Sequence, residues 1–66
     1  MTPRYPNITV ELLEEDGNAF FMIGRTQQAL RRNGVSADEI DAFREEATSG
    51  DYDNVIKTIM EWVNVE

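Results

Sequence analysis

Asn33-Gly34-Val35-Ser36-Ala37-Asp38-Glu39-Ile40 ends one helix and begins another within eight residues. Glycine after asparagine suits the left-handed position that closes a helix. Ser36 and Glu39 have the spacing of a capping box, the serine bonding forward and the glutamate bonding back. Val35 before the cap and Ile40 at the fourth helical position are placed to pack as a hydrophobic staple. Helices joined by so short a turn lie as roughly antiparallel neighbours.

Upstream, residues 19–32 read as the first helix. At about 100° per residue, Ala19, Phe20, Met22, Ile23, Thr26, Ala29 and Leu30 share roughly half the circumference. Asn18 is its expected N-cap, at the end of the turn Glu14-Glu15-Asp16-Gly17-Asn18. Before that turn, residues 7–13 alternate, with Ile8, Val10 and Leu12 on one face and Thr9 and Glu11 on the other. Period two with β-branched residues predicts a strand. Leu13 breaks the alternation. Residues 1–6, with two prolines, predict a flexible lead-in.

Downstream, the second helix is expected over 37–48, with Ile40, Phe43 and Ala47 as a narrow apolar stripe, and Ser49-Gly50 closes it. Asp51 can cap a third helix, whose wide apolar face runs through Tyr52, Val55, Ile56, Ile59, Trp62 and Val63, with Met60 at its border. The tail 63–66 alternates again, the pattern of a short second strand. The predicted fold is a single α+β domain, β-α-α-α-(β), with a three-helix core. A lone strand needs backbone partners, from that tail or from another subunit. The predicted core is Ile8, Val10, Phe20, Ile23, Leu30, Ile40, Phe43, Val55, Ile56, Ile59 and Val63.

A chain of 66 residues buries only about 60% of its unfolded surface. One core of that size rarely supplies more than roughly 3–5 kcal/mol. The absence of cysteine and histidine removes disulfides, thiolate or imidazole zinc sites, and catalysis by Ser–His–Asp or Cys–His sets. No metal and no cofactor are expected. Oligomerisation is the stabilising device left, so a homo-oligomer is expected. The net charge of -7 argues against binding duplex nucleic acid. No apolar run is long enough to span a membrane, and the N-terminus has no secretory pattern. The expected home is a reducing cytoplasm.

Three places on this plan can carry function. The first is the end where the Asp16-Gly17-Asn18 turn and the Ser49-Gly50-Asp51-Tyr52 turn are expected to meet. Two helix N-termini there could hold a phosphate or carboxylate; the plainer reading is that Asn18 and Asp51 cap only their own helices. The second is Phe21, which points about 100° from Phe20 toward Arg25, Gln28 and Arg32. An aromatic among arginines on a helix face is the profile of an interface anchor or a stacking platform; the plainer reading is a Phe21 covered as ordinary core. The third is the set of carboxylates Glu11, Glu14, Glu15, Asp16, Asp38, Glu39, Asp41, Glu45 and Glu46. These can imitate a nucleic-acid backbone toward a basic partner or simply form a solvated surface. A chain this small has little room for a water-excluding cleft, so no enzyme activity is expected.

Glu15-Asp16-Gly17-Asn18-Ala19-Phe20, Ile23-Gly24-Arg25, Ala29-Leu30-Arg31, Gly34-Val35-Ser36 and Glu39-Ile40, followed by Ala47-Thr48-Ser49-Gly50-Asp51-Tyr52-Asp53 and Trp62-Val63, resemble a family of small bacteriophage and prophage proteins. The resemblance covers roughly residues 8–65 and carries no assigned activity. It implies an accessory factor acting in the host bacterial cytoplasm. Such a factor would antagonise a host (defence) protein by direct binding, sequester an anionic nucleotide signal as an oligomer, or serve in phage structure or assembly. A lesser likeness to ubiquitin-associated three-helix domains rests on the Gly50-Asp51-Tyr52 turn before an apolar last helix; their Met-Gly-aromatic loop is missing.

Overall fold

In the computed structural model, which describes residues 2–11 and 19–66, the chain runs β1 (Tyr5–Val10), α1 (Ala19–Arg32), α2 (Ala37–Ala47), α3 (Tyr52–Trp62) and β2 (Val63–Val65). This is a small α+β domain. Leu12, Leu13 and the Asp16-Gly17-Asn18 turn with its expected cap lie outside the described residues.

The α1–α2 junction closes as a helix-ending motif with two reversed bonds. Val35 N–H donates to Leu30 O at 3.0 Å and Gly34 N–H to Arg31 O at 3.1 Å. Gly34 takes φ 81°, the left-handed conformation this closure requires. Ser36 Oγ then accepts the Glu39 N–H at 3.3 Å. The returning half of the capping box is replaced: Glu39 Oε2 meets Arg4 Nη1 at 3.2 Å. Val35 packs against the core beside buried Ile40.

The two strands pair with each other, and the pairing is parallel. The strand starts two residues earlier than the alternation predicts, so the lead-in is shorter than expected. Two contacts draw it in. Arg4 N–H donates to Glu61 O at 2.9 Å, and Tyr5 lies against Trp62 with ring centroids 6.0 Å apart. Pro6 is tolerated because the register slips between Tyr5 and Thr9, where its missing N–H costs no ladder bond. Its carbonyl accepts from the Asn64 side chain.

Trp62 is the hub of the core. It is 1% exposed and meets Phe43 edge-on at 5.5 Å. The Arg4 guanidinium sits over its ring at 4.1 Å, and its indole N–H donates to Glu46 Oε2 at 3.3 Å. Strand, second helix and third helix therefore converge on one side chain. Burial, then the charge and hydrogen bond of Glu39, hold the Tyr5 hydroxyl above its ordinary pKa, against the opposing pull of Arg4.

Nine of the eleven residues predicted for the core are buried, Ile56 is half-buried against it, and Phe20 lies outside it. Phe20 is 82% exposed. Thr26, fully buried, lies near the centre of the inward stripe with Met22, Ile23 and Leu30. Phe20, six residues earlier, is about 120° from Thr26 around the helix and so stands outside the stripe. Thr26 enters the core because its hydroxyl donates back to Met22 O at 2.8 Å, leaving no unmet donor. Met22, Ala47 and Trp62 complete the core.

Candidate functional site

Helix α1 carries a net positive charge in an acidic chain. Its sequence, AFFMIGRTQQALRR, holds Arg25, Arg31 and Arg32 and no carboxylate. The chain's net charge is -7, so the residues outside α1 carry -10 against its +3. The inner face is spent on folding. The outer face presents Phe20 and Phe21, the latter 63% exposed.

Two shallow grooves run along that face. One, of about 420 Å³, is lined by Phe20, Phe21, Gly24, Arg25, Gln28 and Arg31 among others. The second, of about 320 Å³, lies between α1 and the end of β1, with Arg25, Gln28 and Arg32 opposite Thr9 and Glu11. Arg25 and Gln28 belong to both. Arg25 Nη1 donates to Glu11 O at 3.2 Å, which fixes the guanidinium at the boundary of the two grooves. The four residues singled out on sequence grounds, Phe21, Arg25, Gln28 and Arg32, thus lie on one continuous exposed surface. Phe20 and Arg31 join them. Arg31 was legible as a helix-surface cation, whereas Phe20 was hidden by its place at the margin of the apolar stripe.

The Ser49-Gly50-Asp51-Tyr52 turn is built for internal use. Asp51 Oδ1 accepts the Asn54 N–H at 3.1 Å, capping α3. Asn54 Nδ2 donates to Glu46 O at 2.9 Å and to Ala47 O at 3.4 Å, capping the end of α2. A Cβ on Gly50 would stand 2.9 Å from Asn54 Cβ, so glycine lets the asparagine side chain lie across the turn. The other half of the expected anion-binding end, Asp16, Gly17 and Asn18, lies outside the described residues. Among the acidic residues of α2, Glu39 and Glu46 are engaged by Arg4 and Trp62, and Asp38, Asp41 and Glu45 are exposed.

No protein-family model, curated protein or solved structure matches the chain.

A third groove, of about 530 Å³, was not foreseen. It lies between the N-terminal Thr2 and Pro3 and the outer side of α3, over Ile56, Lys57 and Met60. Its signal in the sequence is the four-residue spacing of Tyr52, Ile56 and Met60, which reads as ordinary core margin until Met60 is seen to be 58% exposed. Among the described residues no helix is long and apolar enough to cross a membrane, and no three acidic side chains gather as a metal site.

Proposed function

We propose that this protein is a non-enzymatic binding module that docks an acidic protein surface on the outer face of α1. In the context suggested by its resemblance to phage proteins, the partner is a host protein that it antagonises. The observation that carries this reading is the pairing of exposed Phe20 and Phe21 with an arginine-bearing, carboxylate-free helix in a chain otherwise strongly acidic. Folding uses none of these side chains as core. An aromatic pair this exposed is suited to docking, and arginine beside aromatics is the composition of interface anchors. The positive face selects a partner of opposite sign and repels the chain's own like face.

Phe21→Ala and Arg31→Glu test this. Each is expected to weaken binding by about 2 kcal/mol, roughly thirtyfold, with the far-ultraviolet circular dichroism unchanged. The partner is the protein captured from a bacterial lysate by the parent and lost with both variants, and affinity is then measured by calorimetry on the purified pair. Unchanged affinity in both variants overturns the assignment. An anionic nucleotide released from the denatured protein, in place of a captured protein, moves the same face to the nucleotide-sequestering alternative.

A further inference from the structure

We propose that the outer side of α3 is a self-association seam, on which a second copy of this chain docks antiparallel with Lys57 of each copy meeting Glu61 of the other. Large exposed apolar side chains on the described helices form two groups. Phe20 and Phe21 belong to α1; Tyr52 and Met60 belong to α3. On α3 they continue through half-buried Ile56 as a line at four-residue spacing, the pattern by which one helix packs on another. Met60 and Ile56 floor the groove beneath Pro3.

The charges beside that line identify the occupant. Asp53, Lys57 and Glu61 flank it at the same four-residue spacing. Lys57 is the chain's sole lysine. Among the described residues it forms no ion pair with either acidic neighbour on its own helix. A two-fold antiparallel pairing keeps each flank on its own side. It brings Lys57 level with Glu61 of the second copy, twice, when the axis passes near Ile59. Met60 then falls between Met60 and Ile56 of the second copy. The pattern is self-complementary, as a two-fold interface must be. The arginine face of α1, by contrast, would meet its own like charge under two-fold symmetry. The seam is only as long as an 11-residue helix, so it sits at the small end of specific interfaces and gives a reversible dimer.

Sedimentation equilibrium across the micromolar range tests this. The parent is expected to rise from 7.6 kDa toward twice that mass. Met60→Glu and Lys57→Glu are each expected to raise the dissociation constant at least about tenfold, the latter by setting like charges face to face. The double variant Lys57→Glu/Glu61→Lys restores opposite charges across the axis and is expected to dimerise like the parent. Circular dichroism of each variant checks the fold. A parent that stays at 7.6 kDa overturns the proposal, as does a dimer indifferent to Met60→Glu. A double variant that stays as weak as Lys57→Glu overturns the antiparallel register. Binding of the α1 partner by Met60→Glu should be intact, so this seam and the α1 face fail or stand separately.

Discussion

At the scale of the residue, Gly34 carries the most information per atom. Its φ of 81° lies in the left-handed region, and a Cβ there would touch nothing within 4 Å. Any cost of Gly34→Ala is therefore a backbone cost, unmixed with a clash. It is expected to lower stability by about 1–2 kcal/mol in urea denaturation, while D-alanine at the same position, accessible by chemical synthesis in so short a chain, is expected to lose none of that. Equal losses for the two enantiomers would show that the α1–α2 junction is not closed through this conformation. Gly50 is a different case: its need is space for Asn54, not a positive φ. The Gly34 role was legible because the Asn-Gly pair has a local meaning. The Asn54 role was not, because the two carbonyls by which it caps α2 sit seven and eight residues upstream.

At the scale of the element, α2 shows how little apolar surface a helix needs when its neighbours are well placed. Ile40, Phe43 and Ala47 are its whole buried stripe, and Phe43 is fully buried with its ring edge-on to Trp62. Truncating a buried phenylalanine costs about 3–5 kcal/mol, the size of the whole stability expected for one small core. Phe43→Ala is expected to be largely unfolded at room temperature, as read by the lost near-ultraviolet dichroism of Trp62; parental melting would remove α2 from the core. The helix bounds were readable because caps and apolar spacing are local. The start of β1 was not, because Tyr5 becomes strand through contact with Trp62, at the far end of the chain. Phe20 was misplaced for a related reason. A helical wheel locates a stripe, but its neighbours decide where the stripe ends, and those of α1 cover the Thr26 side. The α1 surface of Phe21, Arg25, Gln28 and Arg32 was legible because helical spacing alone turns it away from the buried stripe. The outer line of α3 was hidden because Ile56 looked like core and Met60 like the border of the apolar face.

At the scale of the whole molecule, the fold closes by joining its two ends. The parallel pairing of β1 with β2 forms only after three helices have returned the chain, and Glu66 N–H seals it onto Val10 O at 3.0 Å. Val63 is 1% exposed, and burying such a side chain contributes about 1.5–3 kcal/mol, a large share of what a core this size supplies. The same pairing keeps Tyr5 and Arg4 against Trp62, so the hub depends on residues from both ends of the chain. Ending the chain at Trp62 therefore removes more than four residues. It leaves β1 without its ladder partner and uncovers Ile8, Val10 and one side of the tryptophan. The shortened protein is expected to keep part of its far-ultraviolet helical signal, since the caps of α2 and α3 are local. It is expected to lose the near-ultraviolet signal of Trp62 and its cooperative thermal transition. Val65→Ser, on a side chain already 38% exposed, is the matched control and should leave both in place. A shortened chain that melts as sharply as the parent would place the stability in the three helices alone and make the sheet an ornament of the fold; a broad, non-cooperative melt would make the joined ends its keystone.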